Sequence, residues 1–157
     1  MALDQRARMG GILIGTGMGG FVDGILLHQI LQWHNMASNW IPPTTMDGMR
    51  VNMLWDGIFH AFVWLVTLSG IFMFWKAAYQ REEIPSLRAF LGQLILGWGA
   101  FNLVEGVIDH QILRVHYVRQ VPEYTVYNLT FLAVGGVLFL LIGWVLGRPP
   151  AAGSMSP

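Results

Sequence analysis

The sequence predicts an all-α integral membrane protein folded as a four-helix bundle, and its composition and the lengths of its apolar segments support this prediction. Hydrophobic residues make up 54% of the 157-residue chain, charged residues make up 11%, and the mean hydropathy is +0.50. A soluble domain carries roughly 25% charged residues, so this chain lacks the charge to cover a water-facing surface. The seven Trp and nineteen Gly are also typical of membrane helices.

Four apolar segments are long enough to cross a bilayer, which takes about 20 residues of helix. Stretches that contain proline, a helix breaker, separate these segments. The predicted spans are residues 10–31, 53–75, 90–112 and 126–146.

The chain is predicted to be one domain over residues 1–148, followed by a disordered tail at residues 149–157. Its first span follows no convincing cleavage site, so we expect this span to be retained. The net charge is zero and there is no basic block, which gives no support for nucleic-acid binding. The absence of cysteine excludes disulfides, thiolate metal sites and thiol nucleophiles.

Positive charge is distributed unequally between the two sides of the predicted bundle. One side carries Arg6, Arg8, Lys76, Arg81, Arg88 and Arg148, and the other carries Arg50, Arg114 and Arg119. Cytoplasmic loops carry the excess of Lys and Arg in membrane proteins. We therefore expect both termini to lie in the cytoplasm.

A twelve-residue pattern occurs twice, at the end of the first span and at the end of the third. The first copy is D-G-I-L-L-H-Q-I-L-Q-W-H, from Asp23 to His34, and the second is E-G-V-I-D-H-Q-I-L-R-V-H, from Glu105 to His116. The repeat extends upstream of this pattern, because at the same offset Gly15 and Gly17 are matched by Gly97 and Gly99. The chain is therefore predicted to consist of two tandem parallel helix hairpins, spans 1–2 and 3–4, related by a pseudo-two-fold axis.

Histidines and carboxylates concentrate in these apolar segments. Ionisable groups within a membrane are costly, so their presence makes a functional site the default interpretation. Imidazole and carboxylate bind zinc, iron and manganese, imidazole also suits copper, and bound cations would neutralise the buried carboxylates. The predicted metal ligands of one or two ions are His28, His60, His110, Asp23, Asp56, Glu105 and Asp109, joined by His34 and His116, which the helix ends bring close to water. A hydrogen-bonded His–Asp network that only holds the helices together is the structural alternative.

Four amides are expected to support these ligands. Gln29 and Gln111 follow the central histidines directly and can hydrogen-bond to metal ligands across the bundle. Asn52 and Asn128 occupy corresponding places at the start of the second and fourth spans. The second span adds Asp56 and His60 without counterparts in the fourth, so the predicted site is asymmetric.

The sequence resembles a family of small bacterial membrane proteins catalogued as domain of unknown function 2243. The resemblance lies in the first repeat copy, in W-D-G-I-F-H, which ends at His60, and in V-E-G-V-I-D-H-Q-I-L, which contains Glu105 and His110. It extends over nearly the whole chain and implies a four-span membrane topology. It also implies residence in a bacterial inner (cytoplasmic) membrane, and it leaves the function to the residues.

These observations favour a membrane metalloprotein whose centre lies in the non-cytoplasmic half of the bundle. An iron or copper centre would support redox chemistry on a lipophilic substrate, whereas a zinc centre would support hydrolysis, with Asp109 or Glu105 as the candidate catalytic base. Two alternatives stay open. One is copper handling for a membrane oxidase, which the methionines Met36, Met46, Met49 and Met53 would assist, and the other is a b-type haem held by His28 and His110. The predicted partners are the lipid bilayer and either a second copy of the chain or such an oxidase.

Overall fold

The computed structural model describes residues 5–148, and within this range the chain is helical, with connecting loops and without strands. The four helices are α1 (Gln5–Ile30), α2 (Met46–Tyr79), α3 (Leu87–Ile112) and α4 (Tyr124–Leu146), each long and apolar enough to cross a membrane. The all-helical, four-span prediction is confirmed. The predicted tail at residues 149–157 lies outside the described residues, as do residues 1–4.

The helix α2 is longer at both ends than the predicted span. It contains 34 residues, which at 1.5 Å per residue is about 50 Å of helix and exceeds the roughly 30 Å hydrocarbon core. It begins early because Thr45 caps it: the Thr45 hydroxyl accepts a hydrogen bond from the Gly48 amide at 3.0 Å. A similar cap starts α3, where the Ser86 hydroxyl accepts from Ala89 at 3.3 Å.

The helices α1 and α3 form the centre of the bundle, while α2 packs along α1 and α4 packs along α3. Glycine permits the close α1–α3 approach. A Cβ at Gly15 would collide with the carbonyl of Leu94, and one at Gly97 would collide with the carbonyl of Ile12. The outer helices face the surroundings over most of their surface, as lipid-facing helices do. Gly15 and Gly97 therefore lie where two helices pack closely, as small residues do in membrane helix pairs.

Three π-helical segments, which were not predicted from the sequence, interrupt the α-helices of residues 5–148. They span Asp23–Ile30 in α1, Ile108–Ile112 in α3 and Phe131–Leu138 in α4. Such segments are rare and often occur at functional sites. The first contains His28 and the second contains His110, so both central histidines lie on π turns.

Candidate metal centre

Four of the five histidines lie together where α1 and α3 end, and we call them the histidine cluster: His28, His34, His110 and His116. Their solvent-exposed fractions are 1%, 3%, 1% and 0%, respectively. The ring centroids are 4.3 Å apart for His28 and His34, 4.4 Å for His34 and His116, and 4.8 Å for His110 and His116. His34 and His116 were expected close to water, but the structure buries both.

Matched turns bring the last histidine of each motif back into the bundle. Gln32 and Arg114 both adopt left-handed backbone with φ 50°. After each turn a main-chain amide donates back to a carbonyl in the preceding π segment at 2.9 Å, from Trp33 to Leu27 and from Val115 to Asp109. The backbone therefore reverses at both places instead of carrying the histidines outward.

The first loop, residues 31–45 after α1, and the second loop, residues 113–123 after α3, hold each other's histidines. His34 donates from Nδ1 to the Val118 carbonyl in the second loop at 2.9 Å, and His116 donates from Nδ1 to the Met36 carbonyl in the first loop at 2.9 Å. Because a carbonyl can only accept, each ring is protonated at Nδ1. The Nε2 atom is left with its lone pair, and a partner on the other nitrogen is the usual arrangement for a metal-binding histidine.

Burial keeps these two loop histidines neutral. It lowers the pKa of His116 to about 4. Burial also lowers the pKa of His34 well below its ordinary value, and the nearby His116 lowers it further. Neutral imidazole is the form that binds metal ions.

One carboxylate from each motif borders the histidine cluster. Asp23 Oδ2 lies 3.0 Å from His28 Nε2, and Asp23 Oδ1 lies 4.0 Å from His34 Nε2. The first contact has the distance of a hydrogen bond but not its alignment. Glu105 Oε1 lies 3.6 Å from His116 Nε2 and 4.0 Å from His110 Nε2. Each carboxylate thus faces the two histidines of its own motif.

The polar atoms that meet at this point are buried and, among the described residues, lack hydrogen-bond partners. They are both carboxylate oxygens of Asp23 and of Glu105, the Nε2 atoms of His28, His34, His110 and His116, and Nδ1 of His110. Buried polar groups are nearly always hydrogen-bonded, and each exception needs an explanation, such as an ion or a water. A structural His–Asp network would instead pair these atoms with one another.

Within residues 5–148, two groups of side chains have the spacing to hold a metal ion. One is His28, His34 and His116, and the other is Glu105, His110 and His116, with ligand atoms within 4.8 Å of one another in each group. All of these residues are buried. The groups share His116, so they form one continuous site.

Asp56 supports this site from α2. Its Oδ1 accepts from His28 Nδ1 at 3.0 Å and from the Met36 amide at 2.8 Å, and its Oδ2 accepts from Asn35 Nδ2 at 2.9 Å. The carboxylate therefore orients His28 and ties the first loop to α2. Its position is that of a hydrogen-bond partner behind a ligand, although it was predicted as a ligand.

His60, Gln29 and Gln111 are not brought to the cluster. The His60 ring donates from Nδ1 to the Asp56 carbonyl at 2.7 Å and lies beside Phe21 and Phe59. Gln29 and Gln111 are exposed, and Gln29 shares an outer groove with His60. Asp109 is half-buried and lines a cavity together with Glu105.

Asn52 and Asn128 hold the two loops in place. Asn52 Oδ1 accepts from the Ala37 amide at 3.0 Å, and Asn128 Oδ1 accepts from the Val118 amide at 3.0 Å. The carbonyl of Val118 accepts the hydrogen bond from His34, so Asn128 is linked to the histidine cluster through Val118. Both asparagines are almost fully buried, as their place behind the loops requires.

The main-chain groups and the Asn35 side chain that hold the histidines and Asp56 in place were not predicted from the sequence. Met36 and Val118 act through their backbone, which no side-chain pattern reveals. Asn35 directly follows the first repeat copy, and a polar side chain at that place was the available signal.

Fold and site together define a class: a multi-pass membrane protein with a buried cluster of histidines and carboxylates between its two central helices. The chain belongs to the family described as "Predicted membrane protein (DUF2243)", whose model matches residues 10–149. No curated protein and no solved structure matches the chain.

Proposed function

We propose that the protein binds a transition-metal centre through His28, His34, His110, His116, Asp23 and Glu105. The observation that carries this proposal is the convergence of unpartnered, buried ring nitrogens and carboxylate oxygens on one place. Burying two carboxylates in an apolar bundle is expensive without compensating positive charge. A divalent cation compensates the charge and supplies a partner to each orphaned atom.

The donor set restricts the metal. It contains imidazole and carboxylate, which suit iron and zinc, and imidazole also suits copper. The group Glu105, His110 and His116 has the two-histidine, one-carboxylate composition of non-haem iron sites and of some catalytic zinc sites. When bound there, iron or copper would supply redox chemistry and zinc would supply a polarised water. Glu105 and Asp109 are the candidate proton acceptors.

His116 limits how ions can be arranged at this site. His116 belongs to both groups, and because its Nδ1 is occupied by the Met36 carbonyl, Nε2 is the nitrogen left to bind an ion. One ion at the shared position, or two neighbouring ions of which one takes His116, are the two arrangements that satisfy the donors. The ratio of metal to protein distinguishes them.

Copper handling is a second candidate because of the thioethers at the start of α2. Met46 is 72% exposed and Met53 is 63% exposed, so a partner such as a membrane oxidase can reach both. Thioethers are soft donors suited to Cu(I). In that case replacing both methionines by leucine lowers copper transfer to an acceptor and leaves the content of the histidine cluster unchanged.

A haem held by His28 and His110 is disfavoured by the packing of the rings. His34 lies 4.3 Å from His28 and stacks on His116 at 4.4 Å, so imidazoles occupy the space that a macrocycle would need. The visible spectrum of the purified protein is expected to lack a Soret band.

Elemental analysis of freshly purified protein tests the proposal. Wild type is expected to contain a transition metal in stoichiometric amount, and His28→Ala and His110→Ala are expected to lose most of it. The exposed neighbours provide matched controls, since Gln29→Ala and Gln111→Ala are expected to retain the metal. Size-exclusion profiles identify any variant that fails to fold. Wild type without stoichiometric metal, after growth with iron, zinc and copper supplied, would overturn the proposal.

A further inference from the structure

An apolar cavity leads from the membrane-facing surface to the candidate metal centre. It has a volume of about 410 Å³ and lies between α2 and α3, with α1 as its floor. Phe62 and Val104 at its outer end are 59% and 58% exposed, whereas Phe59 and Glu105 at its inner end are 8% and 5% exposed. The lining therefore runs from the lipid-facing surface to a carboxylate that borders the histidine cluster.

A smaller cavity occupies the corresponding place in the other half of the protein. Its volume is about 200 Å³, and Asp23 takes the position that Glu105 has in the larger one. Residues that are as far apart in the sequence as His28 and His110 occupy corresponding places in the two cavities. The pairs, with the residue of the small cavity first, are Trp98 and Thr16, Gly19 and Phe101, Val22 and Val104, and Leu27 and Asp109.

Two of these differences make the halves chemically unequal. Where the small cavity has the bulky ring of Trp98, the large one has Thr16, which leaves room for a ligand. Where the small cavity has the apolar Leu27, the large one has Asp109, which adds a second carboxyl at the inner end. Ligand pockets are typically apolar clefts of about 300–1,000 Å³ with a few polar groups that fix orientation, and the large cavity has this character.

We infer that this cavity binds an uncharged, lipid-soluble molecule with an apolar body and a terminal hydroxyl group, which enters laterally from the bilayer. The aromatic and aliphatic walls match the body. A hydroxyl both donates and accepts hydrogen bonds, so it complements Glu105 and Asp109 in either protonation state. An ionised Glu105 or Asp109 would instead repel the carboxylate of a fatty acid. A substrate position of the hydroxyl beside a metal rests on the proposed function. Binding of the molecule in the cavity does not depend on that function.

Photo-crosslinking of the full-length protein in nanodiscs tests this inference. The probe is a dodecanol that carries a diazirine on its chain, and unlabelled dodecanol, dodecane and dodecanoic acid are the competitors. Saturable crosslinks on Phe62, Phe101 and Val104 are expected, with dodecanol the strongest competitor. Equal competition by dodecane, or labelling spread evenly over the lipid-facing surface of all helices, would contradict the inference.

Variants separate the cavity from the general lipid surface. Ala100→Phe fills the cavity from its wall and is expected to weaken saturable labelling about tenfold or more. Met18→Phe, at the corresponding position of the other half, adds the same ring away from the large cavity and is expected to label as wild type does. Undiminished labelling of Ala100→Phe would overturn the inference.

A separate variant tests the polar end of the cavity, where the hydroxyl group is expected to bind. Asp109→Leu introduces the residue type found in the other half, and it is expected to lower the preference for dodecanol over dodecane about tenfold while crosslinking persists. An unchanged preference would show that the hydroxyl does not reach Asp109.

Measuring each protein with and without chelator keeps this proposal distinct from the proposed function. Labelling that survives in metal-free protein supports the cavity even if no metal centre exists. Stoichiometric metal with undiminished labelling of Ala100→Phe would leave the metal centre standing and remove the ligand site.

Discussion

His28 shows how the surroundings of a single residue fit the proposed metal centre. Its Nδ1 is held by Asp56 at 3.0 Å, its Nε2 faces the cluster, and Phe59 stacks on its ring. A carboxylate behind a ligating imidazole fixes the ring orientation and raises the basicity of the ligand. If the proposed centre holds an ion, Asp56 is therefore expected to affect metal affinity through His28 rather than as a ligand.

The first prediction concerns this carboxylate. Asp56→Asn retains the size of the side chain but weakens its hold on His28, and we expect metal affinity to fall about 10–100-fold. Competition with a chelator of known affinity measures the change. Asp47→Asn is the matched control, because Asp47 lies on the same helix with a side chain that is 93% exposed. Equal affinity in both variants would contradict the role given to Asp56.

At this scale the sequence predicted several of the residues that the structure brings together and misjudged some of their surroundings. Asp23, Glu105, His28 and His110 could be predicted because their residue types are costly in apolar spans and recur in a repeated pattern. His60 could not be separated from Asp56, since a helix places residues four apart on one face. The structure distinguishes them: the Asp56 side chain reaches His28, while the His60 ring bonds to main chain.

At the scale of elements, the two loops act as a clamp on the histidine cluster. The Asn39 amide donates to the Val115 carbonyl at 2.9 Å, and the Gln120 amide donates to the Trp33 carbonyl at 3.1 Å. Together with the crossed bonds of His34 and His116, these contacts make each loop depend on the other. A substitution that loosens one loop should therefore also disturb the histidine cluster.

Asn128 provides the second prediction. Asn128→Ala leaves the buried Val118 amide without its acceptor, which costs about 1–3 kcal/mol, and it loosens the carbonyl that orients His34. The thermal unfolding temperature and the metal affinity should both decrease. Asn39→Ala removes a bond to Arg114 at an exposed place, and we expect its unfolding free energy to stay within about 0.5 kcal/mol of wild type. If the two variants behaved alike, the clamp would have no special role.

The central helix pair provides the third prediction. Gly97→Ala places a Cβ against the Ile12 carbonyl, so α1 and α3 must separate, at a cost of about 1–3 kcal/mol. Gly57→Ala meets nothing within 4 Å and should stabilise α2 by up to about 1 kcal/mol through helix propensity. Unfolding in mixed detergent micelles measures both, and opposite signs are expected. A neutral Gly97→Ala would show that the helices are not held this closely.

The sequence predicted the number and approximate places of the helices but not their π segments. Four apolar stretches between prolines are sufficient to locate spans, because hydrocarbon thickness sets helix length. A π turn depends on tertiary contacts around it rather than on a local residue pattern. The capped extension of α2 at Thr45 was also missed, since its first turns are too polar for a hydropathy criterion. The interpretation of the chain as a tandem repeat stays a prediction, which the matched turns at Gln32 and Arg114 favour.

For the whole molecule, four membrane-crossing helices would place Gln5 and Arg148, the ends of the described range, on one side and the histidine cluster towards the other. The distribution of Arg and Lys predicts that the termini are cytoplasmic, so the cluster would open towards the non-cytoplasmic side. The chain lacks cysteine, which makes introduced cysteines unambiguous reporters.

This orientation is the fourth prediction. Glu123→Cys, in the loop before α4, should react with a membrane-impermeant maleimide on intact cells, and Glu83→Cys, in the loop between α2 and α3, should react only after permeabilisation. Both glutamates are exposed, so the pair differs mainly in its side of the membrane. The reverse pattern would place the cluster on the cytoplasmic side.

X-ray absorption at the edge of the metal found in the purified protein is the sharpest test of the proposed metal centre. We expect a nitrogen and oxygen shell at about 2.0–2.2 Å with the multiple scattering of imidazole, and fewer imidazoles in His116→Ala than in His60→Ala. A sulfur shell near about 2.3 Å, or a spectrum without imidazole scattering, would contradict a centre built from these histidines and carboxylates.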